Sequence, residues 1–193
     1  MNKFFLAIRS ITAPHIFALL LLSLLYILHP SYFGSIWILI AGIFCLTVLP
    51  ILAYPLQRFI PPFKNKGRDG QRKLAIIFSF VGYLLGTLIV FVFNAPIEAK
   101  MLFVEYLLCG ISIFVSDKVF KFKASGHACG IVGPIAMLVY LGLYIPAAVG
   151  VLLSVPVFIS SVKTKRHTVS QLIVGSLIPI VMLVIDHVLF CVL

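Results

Sequence analysis

The sequence predicts an all-α membrane protein, a polytopic bundle of six to seven transmembrane helices. Of its 193 residues, 62% are hydrophobic and only 10% are charged, whereas soluble domains average about 45–50% apolar and about 25% charged residues. The apolar residues also gather in seven runs. Each run is close to the roughly 20 residues that a helix needs to cross the hydrocarbon core of a bilayer.

The seven runs follow one another along the chain, separated by short joints that are polar or contain proline. The predicted helices cover residues 11–28, 34–54, 74–94, 97–116, 125–142, 145–162 and 167–190. The joints after the third and fifth helices are short, which predicts antiparallel hairpins there. Since no internal repeat or second domain is evident, we expect a single transmembrane helical domain over residues 1–193.

Small residues inside the runs predict packing rather than chemistry. The 4 cysteines lie in apolar surroundings without metal-type spacing, which indicates neither a disulfide frame nor a zinc site. Gly82 and Gly86 are four residues apart, as are Gly126 and Gly130. This spacing is typical of helices whose backbones approach closely.

The charged residues predict the orientation of the chain. The net charge of +10 comes from short joints, so anionic lipid headgroups or phosphate are better partners than nucleic acid. If all seven runs cross the membrane, every Lys and Arg except Lys100 lies on one side, which the positive-inside rule makes cytoplasmic. A basic active site would create the same bias, so Lys3 and Arg9 are the independent signals. No small-residue cleavage pattern follows the first run, and we expect a retained first helix.

Two histidines stand where a basic joint enters a predicted helix. His127 lies within residues 121–130, KFKASGHACG, and His167 follows Lys165 and Arg166. The first turn of a helix presents N–H groups without helical partners and the positive end of the helix dipole, and both favour an anion. An imidazole beside glycine and serine donors in this position predicts a phosphate pocket.

Three stretches with residues suited to phosphate follow one another along the last two-thirds of the chain. Lys66 and Lys73 stand seven residues apart in a basic joint, SGH occupies residues 125–127, and HTVSQ occupies residues 167–171. Together they resemble the type 2 phosphatidic acid phosphatase superfamily of integral membrane lipid phosphatases. The motifs of that superfamily are K-x6-R-P, P-S-G-H and S-R-x5-H-x3-D.

The chain departs from each of these motifs. Ser160 matches the leading serine of the third motif. Lys66 and Lys73 keep the seven-residue spacing of the first motif. In the first motif, Lys73 and Leu74 replace the arginine and proline, and Arg72 lies one position early. In the second motif, Ala124 replaces the proline. In the third motif, Ser161 and Gln171 replace the arginine and aspartate.

The resemblance implies a type 2 phosphatidic acid phosphatase-like core and a specific chemistry. His167 would attack phosphorus to form a phosphohistidine, and His127 would protonate the leaving alcohol. The substrate would be a membrane lipid phosphate or an isoprenyl mono- or diphosphate, hydrolysed without a metal or other cofactor. The phosphate would be held by cations and N–H or hydroxyl donors, for which the candidates are Lys66, Arg72, Lys73, Lys123, Ser125, Gly126 and Arg166.

A nucleophilic imidazole needs its second nitrogen held by an acceptor. Gln171 lies one turn after His167 on the same helix face and can accept through its amide oxygen. Among the carboxylates, only Asp69 and Asp117 lie on the predicted basic side and are further candidates to orient His167. Asp186 lies 19 residues along the same helix, or about 28 Å away.

Two other functions fit the same residues. A protein of this fold that binds lipid phosphate without turnover is consistent with serine and glutamine at positions 161 and 171. A small anion transporter predicts broken helices and cations near the bilayer midplane. The cations of this chain lie in the joints, which favours the first alternative.

Overall fold

The computed structural model describes residues 14–192, without the side chains of Arg68 and Cys191. Lys3 and Arg9, on which the predicted orientation partly depends, lie outside these residues. All regular structure in the described part is helical, and its eight α-helices are numbered α1 to α8. Their bounds are Pro14–Leu28, Ile36–Ile43, Leu49–Leu56, Gly67–Val92, Ile97–Lys118, Gly126–Tyr140, Tyr144–Lys163 and Val169–His187.

Each of the seven predicted segments is helical within the described residues, and five of the described helices are long and apolar enough to cross a membrane. These five are Ile36–Phe59, Asp69–Val92, Ile97–Lys118, Tyr144–Lys163 and Val169–Phe190. The apolar helices α1 and α6 have 15 residues each, about 22 Å of helix against a hydrocarbon core of about 30 Å. The chain has the architecture of a multi-pass membrane protein. Six to seven crossings, and the orientation that depends on them, stay a prediction.

The chain divides into two compact units. The first contains Ala18–Leu107, and the second contains the residues up to Phe17 together with Leu108–Leu193. Each unit has its own close helix contacts, given separately below. The single domain expected over residues 1–193 stays a prediction.

The first unit is built on a close approach of α4 to the helix that contains α2 and α3. A π-helical turn, Phe44–Val48, joins α2 to α3, and α4 packs against it. A Cβ atom at Gly82 would overlap the backbone oxygen of Cys45, and one at Gly86 would overlap the ring of Phe103. The packing role predicted for these two glycines is therefore confirmed.

The basic joint before α4 is more ordered than the sequence indicates. We predicted that this helix starts at residue 74, but it begins at Gly67, so Arg72 and Lys73 lie in its first two turns. The buried side-chain amide of Gln57 donates to the carbonyl oxygens of Phe63 and Gly67, at 2.9 and 2.8 Å. These two long-range hydrogen bonds shape the joint, which explains why local sequence did not reveal its structure.

In the second unit, α6 packs against both α7 and α8. It ends where Gly142 adopts φ +77°, a conformation that glycine reaches without strain. The Leu143 N–H then bonds to the Leu138 carbonyl at 2.8 Å and the chain continues into α7. A Cβ at Gly130 would lie 2.6 Å from that of Pro14, which confirms a packing role for Gly130.

Candidate active site

The SGH stretch begins α6 in a rigid, buried setting. Ser125 is the fully buried N-cap, and its Oγ accepts a hydrogen bond from the Ala128 N–H at 3.2 Å. The loop before it is tied to the end of α5. The Phe122 N–H donates to the Ser116 carbonyl at 2.9 Å, and the Ser116 hydroxyl donates to the Phe122 carbonyl at 2.7 Å. These bonds hold the entry to α6 in one conformation.

The HTVSQ stretch begins α8 with a capping box. The Oγ1 of Thr168 accepts from the Gln171 N–H at 3.3 Å, and the Oε1 of Gln171 accepts from the Thr168 N–H at 3.2 Å. The pattern satisfies two N–H groups that a helix N-terminus otherwise leaves unpaired. We interpreted Gln171 only as a partner of His167, and its second role as the capping residue was missed. The signal was present in the sequence as threonine followed three residues later by glutamine.

The same glutamine oxygen also contacts the candidate nucleophile. Nδ1 of His167 lies 3.2 Å from Oε1 of Gln171. The backbone N–H of Thr168 already requires an acceptor at this position, so the amide presents its oxygen, and Nδ1 of His167 must be the donor. In the neutral imidazole this tautomer places the lone pair on Nε2, the nitrogen from which a nucleophile attacks.

The two stretches meet through their backbones. The Ser125 N–H donates to the Gln171 carbonyl at 3.0 Å. A Cβ at Gly175 would overlap the carbonyl oxygen of Ser125 and lie 3.0 Å from its backbone nitrogen, so only glycine leaves room for this approach. Gly175 was not among the predicted site residues. Its position one turn after Gln171 was the available signal.

The helices α6 and α8 run in the same direction. Near their N-termini Ser125 bonds to Gln171, and near their C-termini the Tyr140 hydroxyl forms a hydrogen bond of 2.8 Å with Nδ1 of His187. These contacts are 15 residues apart on α6 and 16 residues apart on α8. The positive ends of both helix dipoles therefore lie together, beside both motif histidines, and this favours an anion at that end of the unit.

His127 and Gly126 occupy the first turn of α6. The His127 side chain is partly buried, with Nε2 shielded from solvent, and Gly126 is exposed. Among the described residues, a Cβ at Gly126 would meet only Ile113, at an ordinary 3.9 Å. Within residues 14–192, the packing role predicted for Gly126 therefore finds no support. Gly126 has no side chain to cover the backbone N–H groups at the start of α6.

The candidate cations are divided between the two units. Lys123 is exposed just before α6, and Arg166 is partly buried just before α8. Lys66 caps α4 in the first unit, and Arg72 and Lys73 are exposed in the same helix. The second unit thus places Lys123 and Arg166 next to the N-termini of α6 and α8. The contribution of the other three cations to the same phosphate site stays a prediction.

Ser161 does not supply the donor that the superfamily arginine would provide. Its buried hydroxyl donates to the Val157 carbonyl of its own helix at 2.9 Å.

Of the two candidate acids, Asp117 pairs with Lys118 at 3.2 Å, and Asp69 is exposed in the first turn of α4. Within residues 14–192, no three His, Cys, Asp or Glu side chains form a group that could hold a metal ion.

Comparisons with known proteins add no assignment to this geometry. No protein-family model, curated protein or solved structure matches the chain. Membership of the type 2 phosphatidic acid phosphatase superfamily is therefore a proposal, based on the motifs and on the geometry of α6 and α8.

Proposed function

We propose that the protein is a membrane phosphatase of the type 2 phosphatidic acid phosphatase superfamily that hydrolyses a lipid phosphate or an isoprenyl mono- or diphosphate. The observation that carries the proposal is the backbone hydrogen bond between Ser125 and Gln171. It joins two stretches that resemble motifs of one phosphatase family, 46 residues apart in sequence. The joined ends carry two imidazoles, two helix N-termini and two cations, a combination suited to a phosphoryl group.

In the proposed reaction His167 is the nucleophile. Its Nε2 lone pair forms a bond to phosphorus while the bond from phosphorus to the ester oxygen of a monophosphate, or to the bridging oxygen of a diphosphate, breaks. Oε1 of Gln171 accepts a hydrogen bond from Nδ1–H, which keeps the ring in the reactive tautomer and stabilises the positive charge that develops on it. The products of this step are a phosphohistidine and a leaving group, which is an alkoxide from a monophosphate and an isoprenyl monophosphate from a diphosphate.

His127 completes the reaction as a proton donor and then as a base. It gives a proton to the leaving oxygen, so that an alcohol or an isoprenyl monophosphate departs, and then takes a proton from the water that attacks the phosphohistidine. Inorganic phosphate leaves and both imidazoles return to their starting state. Lys123, Arg166 and the first N–H groups of α6 stabilise the negative charge on the equatorial oxygens.

A second candidate function is binding of lipid phosphate without turnover. The observation that favours it is the Ser161 hydroxyl, which is engaged by the Val157 carbonyl and places no positive charge where the superfamily has arginine. Phosphoryl transfer depends on such charges. The two functions differ in whether inorganic phosphate is released.

The test is phosphate release by the purified protein in detergent. The substrates are dioctanoyl phosphatidic acid, a short-chain phosphatidylglycerol phosphate and farnesyl diphosphate. We expect release from at least one of them, and a loss of about 10² to 10⁴-fold in His127→Ala and His167→Ala. The matched control is His187→Ala, at the opposite end of α8, which should retain activity. A base-stable, acid-labile phosphoryl label that appears in the wild type and not in His167→Ala identifies the intermediate.

Each contrary result has a defined meaning. Activity retained in either variant removes the role assigned to that histidine. If the wild type releases no phosphate from any of the three substrates but still binds them, the protein is the non-catalytic binder.

A further inference from the structure

A long apolar groove lies between α7 and α8, beside the candidate active site. Its volume is about 580 Å³, within the range of about 300–1,000 Å³ that is typical of small-molecule sites. Only apolar atoms are exposed along its lining, to which Lys163 contributes its hydrocarbon stem at one end. The lining residues are Phe158, Ile159, Val162, Lys163, Val169, Leu172, Ile173, Ser176, Leu177 and Ile180.

One end of the groove lies where α7 ends and α8 begins. Lys163 is the last residue of α7 and Val169 is the first residue of α8, so both mark the end of the groove that carries His167. Along α8 the lining continues to Ile180, 11 residues further on and about 16 Å away. This length is about half of the roughly 30 Å hydrocarbon core of a bilayer, which corresponds to the depth of one leaflet.

The groove is open to the side and adjoins the helix contact already described. Ile173 and Leu177 are 54% and 52% exposed, so a chain can enter laterally from the bilayer. Ser176 follows Gly175 by one residue and therefore lies about 100° around α8 from the face that contacts Ser125. The amides of the first two residues of α8 have no acceptor within the helix and lie at the end of the groove next to Lys163.

We propose that this groove holds one hydrocarbon chain of a membrane lipid whose phosphate lies between Lys163 and the N-terminus of α8. The apolar lining fits the chain, its length fits one leaflet, and the positive charge of Lys163 complements the phosphate. The proposal rests on the proposed function for the identity of the headgroup. It adds Lys163 as a residue that positions the substrate and α7–α8 as the element that selects it by chain length.

The test is photolabelling of the purified protein with a hexadecyl phosphate that carries a diazirine in mid-chain, followed by peptide mapping. We expect labels within residues 158–180, and competition by unlabelled hexadecyl phosphate but not by hexadecanol. Ser176→Trp fills the groove and should lower labelling about fivefold or more. Val181→Trp, on an exposed position of α8 outside the groove, is the matched control and should label normally.

A second pair of variants tests the headgroup contact without altering the buried core. Lys163→Gln should lower labelling about fivefold, whereas Lys165→Gln, an exposed lysine that does not line the groove, should leave it unchanged. Labels outside the groove, equal competition by hexadecanol, or equal effects within either variant pair would overturn the proposal.

Parallel measurement of phosphate release separates this inference from the proposed function. If the wild type releases phosphate but its labels lie elsewhere, the groove proposal fails and the phosphatase stands. If the groove is labelled as expected but no substrate is hydrolysed, the groove binds lipid phosphate and the phosphatase proposal fails.

Discussion

The two ends of the α6–α8 pair differ in how fully their polar groups are hydrogen-bonded, although the C-terminal end also has one such bond, between Tyr140 and His187. At the N-terminal end, Ser125, Thr168 and Gln171 are joined by hydrogen bonds within and between the two helices. At the C-terminal end, Asp186 is fully buried, and neither of its carboxylate oxygens has a hydrogen-bond partner within residues 14–192. Satisfied groups hold a site in one geometry, whereas an unpartnered buried carboxylate lowers stability. The first end is therefore organised by hydrogen bonds, and the second carries a group whose presence packing does not explain.

The strongest way to break the organised end is to push the two helices apart. Gly175→Val would place two methyl groups and a Cβ against the backbone of Ser125, so the Ser125–Gln171 hydrogen bond should be lost. We expect a destabilisation of about 3 kcal/mol in thermal unfolding and a loss of at least about 10²-fold in phosphate release. Retention of both properties would show that this contact is not required.

The next variant removes the hydrogen-bond acceptor of His167 while α6 and α8 stay together. Gln171→Leu loses the hydrogen bond to His167 and half of the capping box. We expect kcat for phosphate release to fall about 10²-fold, because the reactive tautomer is no longer favoured, while KM changes little. Gln171→Glu retains an acceptor at the same place and is the control. Equal kcat values for the leucine and glutamate variants would contradict the orienting role.

The third prediction concerns the opposite end. Asp186→Leu removes a buried carboxylate that has no hydrogen-bond partner among the described residues. We expect an increase in stability of about 1–3 kcal/mol, measured by unfolding in mixed micelles, with phosphate release unchanged. Asp186→Asn, which keeps the polar group, should gain less. A loss of stability or of activity in both variants would instead assign the carboxylate a function.

The smallest effect is expected at Gly126, which has no close packing neighbour within residues 14–192. Among these residues Gly126→Ala meets only Ile113, at 3.9 Å, so the free energy of unfolding should change by less than about 1 kcal/mol. If the backbone of α6 contacts the phosphate, the added methyl group should still lower phosphate release about tenfold. Stability lost together with activity would indicate that Gly126 serves packing after all.

The helices were predictable because their signal is local. A run of about 20 apolar residues can cross a bilayer, where a helix satisfies its own backbone hydrogen bonds. Over the residues that the structure describes, all seven predicted segments are helical. The start of α4 was placed seven residues too late, because the basic residues of its first turns looked like a loop. The hydrogen bonds of Gln57 that order this region join residues up to ten positions apart. Sequence periodicity carries no information about such bonds.

The sequence alone determined the membrane character of the chain, its helical class and the contact between His167 and Gln171. That contact follows from the one-turn spacing of two residues on one helix face. Only the tertiary structure decided that the SGH and HTVSQ stretches meet, that Gly175 makes room for them and that Gly126 has no close packing partner among the described residues. The physical reason is that a contact between residues 46 positions apart depends on how the helices pack, and packing is set by the shapes of several segments together rather than by either motif.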